Sequence, residues 1–259
     1  MTQRLQIERV PALQDNYLWL VREPQSGAVA IVDPADPAPV RAALKTHGWT
    51  LTHILNTHHH ADHVGGNLAL KQEFGCTIVG PGPDAARIPG IDVQVGDGDT
   101  YRFGAAEAKV FFVPGHTRGH IAYWFAQHAA LFCGDTLFAL GCGRLFEGTP
   151  EQMWRSLSTL RALPPETEVY CAHEYTQSNA RFAVTVDPEN TALKARAAEI
   201  DRMRAQNIAT VPSTLGEEKR TNPFLRADDP GVARAVGLEG ADPVRVFAEV
   251  RARKDNFRG

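Results

Sequence analysis

Apolar positions recur in short runs along the first 173 residues and alternate there with helical patterns. The runs are rich in β-branched and aromatic residues and are punctuated by glycine, proline or aspartate, which is typical of strands and their turns. They are AVAIVDP, LTHILNTH, CTIVGP, AKVFFVPG, IAYWFA, ALFCGD and TEVYCAH. PAPVRAALKTHG and GGNLALKQEFG have apolar residues at helical spacing and end on glycine, and TPEQMWRSLSTLRALP begins with a capping box of Thr149 and Gln152. The pattern predicts an α/β core in which helices cover sheets.

The pattern changes after His173, where strand-like runs almost disappear. NTALKARAAEIDRMRAQN and DPVRVFAEVRARKDN are rich in alanine, arginine and glutamate at helical spacing, and Asp242 with Pro243 marks the start of the second helix. We therefore predict two domains in this chain of 259 residues, an α/β domain over residues 1–173 and a smaller helical domain over residues 174–259.

Composition narrows the classes of partner. A formal net charge of −3 provides no general attraction for nucleic acid, although 14 of the 27 lysines and arginines follow His173 and allow a local anion site there. The chain has no apolar run of about 18 residues, so we expect no membrane span. The first twenty residues lack the apolar stretch of a signal peptide, so we expect a cytoplasmic protein. The four cysteines form no C-x-x-C pair and are predicted to be reduced core thiols.

The densest group of metal-binding side chains is the motif THHHADH, which overlaps the end of the predicted strand. If the backbone stays extended through the motif, His58 and His60 face one side and His59 faces the other. Asp62 and His63 stand where a helical pattern begins, and a helix start can direct adjacent side chains beyond the strand end. Imidazole and carboxylate without thiolate suit zinc, iron or manganese. The spacing therefore predicts a metal site from which His59 is excluded.

Further candidate ligands follow later strands, and they are His116, Asp135 and His173. Sheets in α/β proteins build their sites at the carboxyl ends of strands, so these residues are expected to join the motif. The seven candidates exceed the roughly four or five ligands that one zinc takes, which predicts two ions with Asp135 as a bridge. One ion takes His58, His60 and His116, and the other takes Asp62, His63 and His173.

The remaining histidines carry weaker signals. His47, His53 and His128 have no partners in the pattern and are predicted to be structural or exposed. His120 lies four residues after His116, but glycines flank a turn there rather than a helix, so His120 is predicted to support the site without binding metal.

The chain resembles a known family. THHHADH, PGHTRGH, GDTLF and CAHEY together look like the metallo-β-lactamase superfamily, and DNYLWLV and GCGRLFEGTPEQM extend the resemblance over nearly the whole chain. NPFLR and VRARKDNF, in the helical part, narrow it to the hydroxyacylglutathione hydrolases, also called glyoxalase II. The resemblance implies a four-layered αββα sandwich with a small C-terminal helical domain. It also implies two divalent metal ions, with zinc preferred over iron or manganese.

The resemblance implies hydrolysis of S-(2-hydroxyacyl)glutathione, typically S-D-lactoylglutathione, to glutathione and D-lactate, the second step of methylglyoxal detoxification. Asp62 and Asp135 would be catalytic together with a hydroxide that bridges the ions, since paired metals lower the pKa of a shared water. The implied substrate-binding residues are Arg144, Phe146, Tyr175, Arg251 and Lys254. The family can have tyrosine where Phe146 stands, so one hydroxyl contact is absent here. The expected partner is a small glutathione thioester, bound by a monomer.

Two other interpretations stay open. A mononuclear-iron glutathione persulfide dioxygenase of the same superfamily shares the H-x-H-x-D-H pattern, but it uses two histidines and one aspartate and lacks the long helical C-terminal domain. A non-catalytic metal-binding module would leave a complete ligand set idle. The seven candidate ligands and the pair of Arg251 and Lys254 favour the hydrolase.

Overall fold

The computed structural model describes residues 3–259, which form two compact units. The first unit is the chain up to Phe112 together with Arg118–Gly134. The second unit is Val113–Thr117 together with Asp135–Gly259. The units therefore divide at other residues than the predicted domain boundary after residue 173.

The first unit contains two sheets and their covering helices. Its elements are β1 (Gln6–Ala12), β2 (Asn16–Arg22), β3 (Val29–Val32), α1 (Pro37–His47), β4 (His53–Leu55), α2 (Ala61–Val64), α3 (Asn67–Phe74), β5 (Thr77–Pro81), β6 (Val93–Val95), β7 (Thr100–Phe103), β8 (Ala106–Phe112), β9 (Ile121–Phe125) and β10 (Ala130–Gly134). Strands β1 to β6 pair in chain order, antiparallel from β1 to β3 and parallel from β3 to β6. Strands β7 to β10 pair as antiparallel neighbours.

The core of the first unit lies against the first sheet. Strand β3 is buried along its whole length, as expected for a strand in the middle of a partly parallel sheet with both faces covered. Helices α1 and α3 pack Val40, Leu44 and Leu70 into the same cluster as Ile31 and Ile54. The predicted strands and helices in this part of the sequence are confirmed, because their apolar faces meet in this cluster.

A pair of glycines separates α2 from α3, which the sequence pattern joined in one helical segment. A Cβ atom on Gly65 would lie 2.5 Å from the backbone oxygen of Ala35, and one on Gly66 would lie 2.9 Å from that of Pro34. The backbone of the segment after β3 therefore approaches too closely for any side chain at these two positions. This contact fixes the start of α3 next to the short helix that carries Asp62 and His63.

The second unit is mainly helical. Its elements are β11 (Leu137–Phe138), β12 (Gly141–Cys142), α4 (Pro150–Arg161), β13 (Glu168–Cys171), α5 (Thr176–Val186), α6 (Thr191–Ala205), β14 (Ser213–Thr214), α7 (Leu215–Thr221), α8 (Pro230–Ala235) and α9 (Pro243–Asn256). Strands β11 and β12 form a hairpin, and β13 pairs with β14. The capping box of Thr149 and Gln152 and the N-cap Asp242 are confirmed.

Helix α4 packs against the C-terminal helix α9. The ring of Trp154 on α4 lies 6.2 Å from that of Phe247 on α9. This packing explains why the compact unit begins well before the change in composition at His173. Helices α5 and α6 bury a separate cluster that includes Ala183 and Leu193.

A buried ion pair connects α6 and α7 inside the second unit. The Arg196 guanidinium donates to Glu218 Oε1 at 2.6 Å, and the Glu218 side chain is fully buried. Glu218 Oε2 accepts from the backbone N of Leu140 at 2.9 Å and from Asn222 at 3.1 Å. The carboxylate therefore links two helices to the β11–β12 hairpin, where Leu140 has a positive φ of 57°.

The cysteines are buried thiols, as predicted. Burial raises the pKa of the Cys142 thiol to about 11 and that of Cys171 to about 12, so both stay protonated at neutral pH.

Within residues 3–259, no helix is both long enough and apolar enough to cross a membrane.

Candidate metal centre

His58 and His60 lie side by side after β4. His58 Nε2 is 3.1 Å from His60 Nδ1, and the two ring centroids are 4.7 Å apart. The paired strand β4 ends at Leu55, before the motif. The backbone N of Thr57 donates to Asp33 Oδ1 at 2.7 Å instead of to a neighbouring strand. The two imidazoles nevertheless present nitrogens to a common point.

His59 lies in a different environment. Its Nδ1 is 3.4 Å from Asp84 Oδ2, and Arg87 Nη1 is 2.9 Å from its Nε2. Arg87 also donates to Asp84 Oδ1 at 2.6 Å. The ring nitrogens of His59 thus face a carboxylate and a guanidinium of the 3-10 helix after β5, although its ring also lies 4.9 Å from that of His60.

Asp62 and His63 stand on α2, and Asp33 holds His63. His63 Nδ1 is 3.1 Å from Asp33 Oδ2, and both side chains are almost fully buried. The same oxygen accepts from the Thr57 hydroxyl at 2.6 Å. A carboxylate on one ring nitrogen orients an imidazole for metal binding through the other. Asp33, which follows β3 with a positive φ of 48°, was not among the predicted site residues.

His120 lies against this cluster. Its ring is fully buried and stacks on His58 with centroids 4.5 Å apart and planes 18° apart. Its Nδ1 lies 3.0 Å from the backbone oxygen of Ile121. A Cβ atom on Gly134 would lie 2.9 Å from the His120 ring, so the end of β10 also limits the position of the ring. His120 therefore packs against a candidate ligand.

The second unit carries the other three candidates. His116 Nε2 lies 3.4 Å from Asp135 Oδ2, and His173 Nε2 lies 3.4 Å from Asp135 Oδ1. All three side chains are buried. Each carboxylate oxygen thus faces a different imidazole, an arrangement compatible with a carboxylate shared by two ions. A Cβ atom on Gly143 would lie 2.1 Å from the Asp135 backbone oxygen, so only glycine allows the chain to pass there.

Both clusters fit divalent transition metals. Their donors are neutral imidazole nitrogens and carboxylate oxygens, the set that zinc, iron and manganese share. In addition, Asp33, His58 and His63 can bring one ligand atom each within 4.8 Å of one another. The donor chemistry of the seven predicted ligands is therefore compatible with metal ions in both units.

Aromatic side chains flank the second cluster. The Tyr175 ring stacks on His173 with centroids 4.7 Å apart and planes 2° apart. The Phe146 ring lies 5.2 Å from His116 and is 62% exposed. The backbone oxygen of Arg144 lies 2.9 Å from His116 Nδ1, which orients that imidazole. Two of the predicted substrate-binding side chains therefore contact candidate ligands directly.

Arg251 and Lys254 on α9 differ in accessibility. Arg251 is 5% exposed, donates to the backbone oxygen of Cys142 at 2.9 Å and pairs with Asp255 at 2.8 Å. Lys254 donates to the Ser178 oxygens at 3.1 Å and is only partly buried. Burial, followed by the charges of Arg251 and Arg144, lowers the pKa of Lys254 to about 8. The two cations share one helix face, as the spacing of three predicted, but Lys254 is the more accessible.

A model of the metallo-beta-lactamase superfamily matches residues 14–173, and a model of the hydroxyacylglutathione hydrolase C-terminus matches residues 174–257. The hydroxyacylglutathione hydrolase of Methylococcus capsulatus is 61% identical over 98% of this chain and 100% of its own length.

Solved structures are more distant in sequence. The crystal structure of ETHE1 from Myxococcus xanthus matches with a TM-score of 0.66 and 26% identity, over 97% of this chain and 98% of that one. The protein TTHA1623, solved in a di-iron-bound form, matches with a TM-score of 0.61 and 27% identity, over 85% of this chain and 100% of that one.

Proposed function

Since the chain belongs to the hydroxyacylglutathione hydrolases of the metallo-β-lactamase superfamily, we propose that it hydrolyses S-(2-hydroxyacyl)glutathione to glutathione and a 2-hydroxy acid. Its fold is the α/β metallo-β-lactamase fold with a helical C-terminal part, as predicted. The observation that carries the proposal is 61% identity to a hydroxyacylglutathione hydrolase over the full length of that relative. The preferred substrate is S-D-lactoylglutathione, which places the reaction second in methylglyoxal detoxification.

We propose that the seven predicted ligands bind two divalent ions. One ion takes His58, His60 and His116, the other takes Asp62, His63 and His173, and Asp135 bridges them. When bound, two such ions supply a water of lowered pKa as nucleophile and stabilise the oxyanion of the attacked carbonyl. Zinc is the preferred ion, with iron or manganese as substitutes of the same ligand chemistry. The di-iron form of TTHA1623 supports a two-ion site in this fold.

The protein groups have a limited role in the chemical step. Asp62, whose side chain is 40% exposed, would orient the attacking water, and the buried Asp135 would bind both ions. The leaving group is a thiolate whose conjugate acid has a pKa of about 8.5, so the reaction needs no strong general acid. Cys142 and Cys171 keep their protons and are poor nucleophiles.

The cations of the second unit are the proposed glutathione-binding groups. Glutathione is anionic, and its carboxylates favour Lys254 and Arg144, assisted by Arg251. Tyr175 and Phe146 provide the apolar and aromatic walls next to the metal ligands. The proposed partner is thus a small thioester bound by one chain.

The rival activity, a mononuclear-iron persulfide dioxygenase, is less well supported. The chain is 26% identical in sequence to ETHE1 from Myxococcus xanthus and 61% identical to the hydrolase of Methylococcus capsulatus. The purified protein is expected to hydrolyse S-D-lactoylglutathione and to contain about two metal ions per chain. Hydrolysis is measured as the loss of the thioester absorbance. A single iron, no thioester hydrolysis and oxygen uptake with glutathione persulfide would reverse the assignment.

His59→Ala is expected to leave the metal content near that of the wild type. The reason is that the ring nitrogens of His59 face Asp84 and Arg87. His58→Ala is the matched control, and it should lose at least one ion per chain. Metal analysis after gel filtration measures both variants, and loss of an ion from His59→Ala would contradict the exclusion of His59 from the site.

The pKa of Lys254 predicts a pH dependence of substrate binding. The ammonium is charged below about pH 8 and neutral above it, so KM for the thioester should rise as the pH passes through about 8 while kcat stays nearly constant. Lys254→Arg keeps its charge to a much higher pH and should remove the rise. Lys254→Ala should have a raised KM throughout. If KM of the wild type and of Lys254→Arg depended on pH in the same way, the carboxylate-binding role of Lys254 would be contradicted.

A further inference from the structure

Asn16 belongs to the motif DNYLWLV, to which the proposed reaction gives no role. It begins β2, directly after the turn of the β1–β2 hairpin, and is 5% exposed. Its Nδ2 amide donates to the backbone oxygen of Asp62 at 3.3 Å and to Asp62 Oδ2 at 3.2 Å. A primary amide carries two N–H groups, so one side chain holds both the backbone and the carboxylate of Asp62.

The Asp62 side chain needs a hydrogen-bond partner that fixes its orientation more than the His63 side chain does. Helix α2 spans four residues and has no hydrogen bond from a capping side chain. The Asp62 side chain is 40% exposed, whereas His63 is 1% exposed and is held by Asp33. An exposed carboxylate must lose rotational freedom when it binds an ion, and a fixed partner removes part of that cost beforehand.

The orientation of the Asp62 carboxylate that Asn16 stabilises is the one that binding of a metal ion requires. Asp62 Oδ2, which accepts the amide hydrogen, lies 3.6 Å from His63 Nε2, so the two proposed ligand atoms of the same ion face each other. An amide is suited to this position because it donates without adding charge, whereas a carboxylate would repel Asp62.

We propose that Asn16 is a positioning residue that holds the Asp62 carboxylate in its metal-binding orientation. The inference rests on the proposed two-ion site. Residues that orient metal ligands typically contribute about 10-fold to 100-fold in metal affinity. Asn16 would act on the ion that Asp62 binds and leave the ion of His58, His60 and His116 unchanged.

Three variants test the proposal in the full chain. Asn16→Leu keeps the size of the side chain and removes the donor, Asn16→Asp replaces the donor with a like charge, and Gln14→Leu removes an exposed amide from the same hairpin. Zinc affinity is measured by competition with a chromophoric chelator, thermal unfolding is measured on the metal-free proteins, and kcat and KM are measured with limiting and with excess zinc.

Asn16→Leu is expected to bind one zinc as the wild type does and the other about 10-fold to 100-fold more weakly. Its kcat should fall at limiting zinc and recover with excess zinc, with KM unchanged. Asn16→Asp should lose at least as much affinity, and Gln14→Leu should match the wild type.

Wild-type affinity of Asn16→Leu for both ions would overturn the inference and leave the proposed function intact. Equal weakening of both sites, together with earlier melting of the metal-free variant, would also overturn it, because it indicates a structural role. A wild-type chain that binds fewer than two ions and does not hydrolyse the thioester would overturn the proposed function, and this inference with it.

Discussion

Asp135→Asn is expected to reduce the metal content below two ions per chain and to reduce kcat by more than about 100-fold, the upper range for residues that only support a ligand. The carboxylate oxygens of Asp135 each lie 3.4 Å from a different histidine nitrogen, His116 Nε2 and His173 Nε2. Asparagine keeps the shape but replaces one oxygen with an NH₂ group that cannot bind a cation. Metal analysis and thioester hydrolysis at saturating substrate measure the two effects.

Asp228→Asn is the control for this prediction. Asp228 forms a half-exposed ion pair with Arg161 at 2.7 Å in the same unit and lies outside the proposed site. The control should keep its metal and its kcat, because exposed ion pairs contribute little to stability. If Asp135→Asn retained two ions and a wild-type kcat, Asp135 would not be the bridging ligand.

Glu218→Ala is expected to lower the free energy of unfolding by about 3–5 kcal/mol, the usual cost of removing one partner of a buried ion pair. The change leaves the Arg196 guanidinium buried without its 2.6 Å partner and removes the acceptor for the backbone N of Leu140. Urea denaturation followed by circular dichroism measures the loss. The loosened β11–β12 hairpin should also reduce activity before the chain unfolds globally.

The adjacent residue provides a matched control. Glu217 lies 3.3 Å from the same guanidinium, but its side chain is 38% exposed. Glu217→Ala should lower the free energy of unfolding by less than about 1 kcal/mol, since water can solvate the guanidinium in place of an exposed carboxylate. Equal losses from the two variants would show that burial does not determine the strength of this pair.

Much of the fold and of the site could be predicted from local patterns. The period of apolar residues, with capping residues such as Thr149 and Asp242, located most of the longer strands and helices, because these signals act within a few residues. The spacing of His58, His60, Asp62 and His63 indicated metal chemistry for the same reason. The order of ligand types along a short segment limits what they can bind.

The residues that orient the ligands depended on contacts between distant segments. Asp33 meets Thr57 across 24 positions, and Asn16 meets Asp62 across 46. A lone aspartate after a strand and an asparagine at a hairpin have common local explanations, so the sequence alone offers no reason to choose the functional one. The Asp33 carboxylate likewise accepts the N–H of Thr57 just beyond the end of β4, and this contact has no local signal in the sequence.

The sequence and the tertiary structure determined different features of this protein. The sequence by itself determined the ligand types, the longer helices with their caps and the resemblance to glyoxalase II, since each is written in contiguous motifs. Only the tertiary structure decided that Arg251 is buried while Lys254 stays accessible, and that Asn16 holds Asp62. The physical reason is that burial and hydrogen-bond partners are set by packing between elements, which local spacing does not encode.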